Sequence, residues 1–175
     1  MAKKIKKVAV LVEDTVHDLE FWYPYYRLVE EGFQPVIVGP ETGRSYVGKM
    51  GSSIKAESSP SEISAKDFAG VVVPGGWAPD KLRVHQGIVD FVRDVHAKGG
   101  IVAAICHGGS VLVSARILEG VRATSYKSIK DDMMLAGAEW LDEPVVISQK
   151  IVTSRTPADL PQFGKALVET LAKGK

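Results

Sequence analysis

Short runs of β-branched and small apolar residues recur along this chain, separated by longer stretches whose apolar residues fall at helical spacing. Val8–Val12 is the first such run. A stretch from Asp18 to Gly32 follows, with Leu19, Tyr23, Tyr26 and Leu28 at helical intervals and Gly32 as its expected stop. Residues 35–39 read as the second strand. Residues 40–59, punctuated by Gly43, Gly48 and Gly51, read as a surface hairpin, and Ser59-Pro60-Ser61-Glu62 as a short helix start. Gly70–Val73 is a buried-type strand ending in the turn Pro74-Gly75-Gly76. A helix over 86–98 stops at Gly99-Gly100, and Ile101–Ile105 is the most apolar strand. Beyond it lie a turn, Cys106 to Gly109, and a helix over 110–118. The last third reads as a short strand at 123–125, a helix over 129–136, a hairpin of 145–147 with 151–153, and a closing helix over 160–171. Apolar strands alternating with helices predict an α/β protein whose mostly parallel sheet is covered on both faces. Such sheets bind ligands beyond the carboxyl ends of their strands, so the turns after Val12, Val73 and Ile105 are expected to share one rim.

The chain has 175 residues, 45% of them hydrophobic and 25% charged, which predicts a single domain over 1–175 with a substantial core. Its 22 basic and 21 acidic residues leave a formal net charge of +1, so no nucleic-acid partner is expected. The pairs Lys3-Lys4 and Lys6-Lys7 read as a solvated lead-in to the first strand. No signal-like apolar segment and no membrane-length run is present in the sequence, and Cys106 is the lone cysteine, so a cytoplasmic protein without a disulfide is expected.

Cys106 carries the chemical interest. The segment Ala104-Ile105-Cys106-His107-Gly108-Gly109 has the logic of a nucleophile elbow, a strand turning sharply into a helix and presenting a side chain above the sheet. Gly108 and Gly109 remove side chains that would crowd the turn. A thiol facing a helix N-terminus is expected to have a depressed pKa. His107, its neighbour, would point away across an extended strand, but at an elbow the two can splay and still meet, giving a base for the thiol. Glu20 sits in the first turn of the first helix, where an acid favours the helix dipole, as Asp18 does. Pro74-Gly75-Gly76-Trp77-Ala78-Pro79-Asp80 has neither phosphate-loop lysine nor dinucleotide spacing, so no cofactor is expected, and no metal. Its glycines can aim backbone N–H groups at an oxyanion. Asp80 reads either as a turn residue or as a group orienting a histidine.

These blocks, with Asp18-Leu19-Glu20 followed by Tyr23-Pro24-Tyr25, Thr124-Ser125-Tyr126 with Ile129 to Met133, and Ser154-Arg155 with Pro157 to Leu160, resemble the ThiJ/PfpI (DJ-1) superfamily along nearly the whole chain, most closely its PfpI branch of intracellular cysteine peptidases and stress proteins. The resemblance implies a three-layer α/β/α sandwich, flavodoxin-like and akin to class I glutamine amidotransferases. It makes Cys106 the nucleophile, His107 its partner and Glu20 a protonated carboxyl bonded to the sulfur. Gly75, Gly76 and His107 become oxyanion-hole donors, and Asp80 the acid of a Cys-His-acid triad, reaching His107 from a neighbouring subunit of a homo-oligomer. Tyr126, Trp77 and His17 fall on the substrate side. His17 stands where relatives are often acidic, and Gly109 where proline is common, which is expected to loosen the helix start. The implied activity is thiol-dependent chemistry on small reactive carbonyls, of the glyoxalase or deglycase kind. A peptidase acting on small peptides and a redox sensor or chaperone are the alternatives.

Overall fold

The computed structural model describes residues 6–173; the lead-in at Lys3 and Lys4 lies outside them. Strands β1 (Lys7–Leu11) and β2 (Gln34–Val38) flank helix α1 (Asp18–Glu30). The hairpin of β3 (Ser45–Val47) and β4 (Ser53–Lys55) comes next, then β5 (Phe68–Val73). Helices α2 (Ala78–Leu82) and α3 (Gln86–Ala97) lead to β6 (Ile101–Ile105). Helix α4 (Gly109–Ala115), β7 (Arg122–Ala123), α5 (Lys130–Leu135) and β8 (Glu139–Trp140) follow. The antiparallel pair β9 (Val145–Ser148) and β10 (Ile151–Ser154), and helix α6 (Leu160–Lys173), complete the order.

The main sheet has six strands in the order β2-β1-β5-β6-β10-β9, all parallel except the edge strand β9. Helices α1 and α6 pack together on one face, α3 and α4 on the other, which gives the three layers expected. With both faces covered, β6 is buried at all five positions, as its unbroken apolar run requires. Each fully buried valine, leucine or isoleucine contributes about 1.5–3 kcal/mol. Val10, Val72, Leu112 and Phe163 are among the residues that fill this core.

Several boundaries shift for physical reasons. Gly32 has φ +77°, the left-handed conformation that closes α1. Residues 59–62 form only a turn, with Glu62 N–H donating to the Ser59 carbonyl, and helical geometry appears later as one 3-10 turn at Ala65–Asp67. Helix α4 ends at Ala115, short of the expected 118, because Arg116 turns left-handed at φ +57°. The segment after Gly76 is a short helix rather than a turn, since Pro79 falls in its first turn, where no amide donor is needed.

The chain leaves β1 outward to β2 and returns to β5 on the other side of β1, so the crevice between β1 and β5 is the switch point. The three loops meet there. His17 N–H donates to the Gly75 carbonyl, Val16 bridges Gly76, and Gly75 lies against the Cys106 turn, where an added Cβ would sit 2.8 Å from Cys106 Cβ. No helix among the described residues is long and apolar enough to cross a membrane.

Candidate active site

Cys106 begins a 3-10 turn (Cys106–Gly108) between β6 and α4 with φ +60°. A non-glycine residue there costs on the order of 1–3 kcal/mol, and such strain concentrates at functional positions. Gly108 permits the turn: a Cβ on it would lie 2.3 Å from the Val73 carbonyl oxygen. Gly109 packs against α5, where a Cβ would meet the flexible end of Met133 at 2.8 Å.

The elbow brings its two neighbouring side chains together: Cys106 Sγ lies 3.3 Å from His107 Nδ1. On the other side of the sulfur is Glu20, fully buried on the first turn of α1. Its Oε2 accepts a 2.7 Å hydrogen bond from Gly75 N–H, while its carboxyl also interacts with the Cys106 side chain. Oε1 is buried without a hydrogen-bond partner. Gly75 is required at this approach, since a Cβ would sit 2.4 Å from Glu20 Oε2. Its N–H is therefore committed to Glu20 and is not a free oxyanion donor. The Gly76 and His107 amides are directed at the sulfur.

Burial pushes the Glu20 carboxyl up to about 7; hydrogen bonds from Gly75 and Cys106 and the charge of Lys49 hold it from rising further. Burial also raises the Cys106 thiol, to about 12, with the Glu20 carboxylate adding to the effect against the Gly76 and His107 amides. The expected low-pKa thiol is thus reversed: the helix start is present, but burial and a neighbouring carboxylate outweigh it. Glu20 and Cys106 cannot both be ionised, so this pair holds at least one proton. His107 is lowered by burial, with Asp80 raising it and Lys49 lowering it further. An imidazole lowered by burial beside a thiol raised by burial suits proton transfer as the sulfur attacks.

The remaining expected residues gather around this core. The Tyr126 ring stacks on His107 at 4.8 Å between centroids, and Trp77, half exposed, lies 5.6 Å from it. His17 precedes α1 with Nδ1 buried and unpartnered, its pKa lowered by burial and by Lys49. Asp80 lies exposed in the first turn of α2 and reaches His107 through charge alone within the chain. Asp18 does more than face a helix dipole. Burial works against its ionisation, but hydrogen bonds from Ser52 and Met50 prevail and hold it below the usual range, fastening the hairpin tip to α1.

Two residues escaped the sequence reading. Lys49, at the hairpin tip, anchors its N–H on the Val16 carbonyl and holds Nζ 5.4 Å from the Trp77 ring centroid. Its signal was only a lysine between two hairpin glycines. Ser128 hydrogen-bonds His107 Nε2 at 3.0 Å. A cavity of about 690 Å³ lies at the opposite, amino end of the sheet, beside Lys66, Gly99, Ile101 and Lys150. It has no part in this chemistry, and one of its lysines, Lys98, caps the end of α3.

Fold and site together define a doubly covered α/β protein with a cysteine at a strand-to-helix elbow, flanked by a buried acid and a histidine. The chain belongs to the DJ-1/PfpI family, whose profile matches residues 6–170. It is 39% identical over 165 residues to a protein named Deglycase PfpI from Pyrococcus furiosus, across 94% of this chain and 99% of that one. A Bacillus subtilis protein named Putative cysteine protease YraA is 39% identical over 166 residues, with 95% and 98% covered. A crystal structure of an Anabaena variabilis protein with DJ-1/ThiJ/PfpI-like and ferritin-like domains superposes with a TM-score of 0.93 at 42% identity. It covers 95% of this chain and 48% of that one.

Proposed function

We propose that this protein is a Cys106-dependent enzyme acting on small reactive carbonyls, removing an α-oxoaldehyde or the early adducts it forms on amines and thiols. The carrying observation is the placement of Cys106 Sγ between the Glu20 carboxyl and, at 3.3 Å, His107 Nδ1. In this reading the sulfur attacks the aldehyde carbon, forming a C–S bond as its proton passes to His107 Nδ1. The carbonyl oxygen, facing the Gly76 and His107 amides, receives a proton and becomes a hemithioacetal hydroxyl. Transfer of the C1 proton to C2 converts the hemithioacetal into a 2-hydroxyacyl thioester. Water cleaves that ester to a 2-hydroxy acid and regenerates the thiol, with no net oxidation. Glu20, raised to about 7, exchanges a proton near neutrality and is suited to serve both steps.

The open rim formed by Trp77, Tyr126, His17 and Lys49 supplies the substrate side. Relatives named deglycases support the reaction class. A Cys-His-acid peptidase triad would place a carboxylate on the second imidazole nitrogen, whereas within the chain Nε2 faces the neutral Ser128. The test assays α-oxoaldehyde consumption, release of glycated amine and small-peptide hydrolysis on wild type and Cys106→Ala side by side. Carbonyl turnover by wild type, lost in the variant, supports the reading. Peptide hydrolysis alone, or carbonyl turnover surviving in Cys106→Ala, would overturn it.

A further inference from the structure

We propose that the cavity at the amino end of the sheet is a second binding site, for a small aliphatic phosphate. Its anion meets the lysines of the rim and its hydrocarbon body lies on the floor. The site is separate from Cys106 and goes beyond the chemistry proposed there.

The cavity holds about 690 Å³, within the range that encloses a small organic ligand. Phe68, Ala69 and Ile101, at the starts of β5 and β6, give it an apolar floor with Leu171 from the last turn of α6. Ile147 on the edge strand β9 adds to that floor and is 45% exposed, a large aliphatic side chain left uncovered. Gly99, at φ +80°, and Gly100 contribute no side chain to the opening.

Among the described residues five lysines line the cavity, Lys6, Lys66, Lys98, Lys150 and Lys173, against one acid, Asp67. The whole chain carries a formal charge of only +1, so this is a local concentration. The plain explanation is that lysines offset the carboxyl ends of α3 and α6, which terminate here. The magnitudes do not support it as the full account. Two helix ends together carry about one negative charge and Asp67 adds another, which leaves a surplus of about three positive charges. Lys66 lies in the 3-10 turn Ala65–Asp67, at the end of neither helix. Neither Lys66 nor Lys98 makes an ion pair among the described residues. Lys150 donates from Nζ to the Gly99 carbonyl at 2.8 Å, and its charge joins burial in lowering the pKa of His96 on α3.

The floor selects the body of the ligand. Phe68 is its one aromatic residue among those described, 8% exposed and set edge-on to Phe91 at 88°, so no ring face is open to stack a nucleobase. Thr170 donates its hydroxyl to the Ala166 carbonyl and is not available to read a base edge. An aliphatic body matches Ile101, Ile147 and Leu171. A phosphomonoester, charged about −1.5 to −2 near neutrality, matches the surplus better than a carboxylate.

Calorimetric titration with octyl phosphate, kept below its micelle concentration, tests the proposal, with ethyl phosphate, octanoate and ADP as comparisons. Wild type is expected to bind one octyl phosphate at least tenfold more tightly than ethyl phosphate, since each buried methylene adds about fourfold. It is expected to bind it more tightly than octanoate or ADP. Lys66→Gln/Lys98→Gln is expected to weaken binding at least tenfold and Lys66→Gln alone several-fold. The single variant changes a side chain outside both helices and keeps the test decisive if the double variant is destabilised. Amide NMR shifts on binding are expected at Gly99, Gly100 and Ile101 rather than at Gly75 and Gly76. No saturable binding, a gain under tenfold over ethyl phosphate, tighter binding of octanoate or ADP, unchanged affinity in the variants, or shifts centred on Gly75 and Gly76 would each overturn the proposal. The titration needs no turnover, so its result stands whatever substrate Cys106 proves to attack.

Discussion

Gly75 N–H hydrogen-bonds Glu20 Oε2 at 2.7 Å, and this contact joins the turn after β5 to the first turn of α1 directly beneath the Cys106 sulfur. It holds a buried carboxyl against a buried thiol, and the proton they retain between them is the centre of the site's chemistry.

The pH dependence of stability is the first consequence. Glu20 rises from an ordinary 4.5 to about 7 on folding. A raised pKa contributes stability that is fully present below pH 4.5 and is lost as the pH climbs through 7. The loss is on the order of 3 kcal/mol. Glu20→Gln can still accept from Gly75 but cannot ionise, so its denaturant midpoint is expected to stay flat across that window while the wild-type midpoint falls. Parallel curves for the two proteins would show that Glu20 does not ionise there.

Lys49 and Asp80 act on His107 with opposite sign. A base must be neutral to work, so activity rises with pH through the histidine's pKa. Lys49→Met is expected to move that limb to higher pH and Asp80→Asn to lower pH, and added salt is expected to shrink both shifts. Measured pH–kcat/KM profiles check this, and shifts in the same direction would contradict it.

A methyl at position 75 tests the packing beneath the thiol. The Cβ of Gly75→Ala would meet Glu20 Oε2 at 2.4 Å and Cys106 Cβ at 2.8 Å, so the carboxyl must move. Overpacking of this kind costs about 1–3 kcal/mol of stability. The expected kinetic result is a kcat at least tenfold lower, of the size seen when a positioned proton-transfer group is displaced. Thermal unfolding and turnover measured together check both, and wild-type kcat in a folded variant would show that the contact is dispensable.

The elbow was legible because the constraint is local: Ile105-Cys106-His107-Gly108 carries the strand, the nucleophile and the glycine that its close approach to Val73 demands. The family resemblance located Glu20, since helical spacing alone explains it as a dipole partner. The thiol's pKa was misread, because helix direction can be read from sequence but burial and the distance to Glu20 cannot. Lys49 and Ser128 reach the site through the folded-back hairpin and the turn after Tyr126, so neither leaves a spacing signal. Helix α2 was read as a turn because two prolines and two glycines precede or enter it, although proline is welcome in a first turn.

Titration of the Cys106 thiolate by its ultraviolet absorbance, with Cys106→Ala as the blank for the five tyrosines, tests the central claim most directly, because the chain has one cysteine. Burial and the adjacent carboxyl are expected to keep the thiol protonated at rest, losing its proton to His107 only as it attacks. No thiolate step should therefore appear between pH 5 and the ordinary cysteine value of about 8.5, while α-oxoaldehyde turnover at neutral pH depends fully on Cys106. A thiolate step well below neutrality, accompanied by full turnover, would mean a standing thiolate–imidazolium pair and would contradict it.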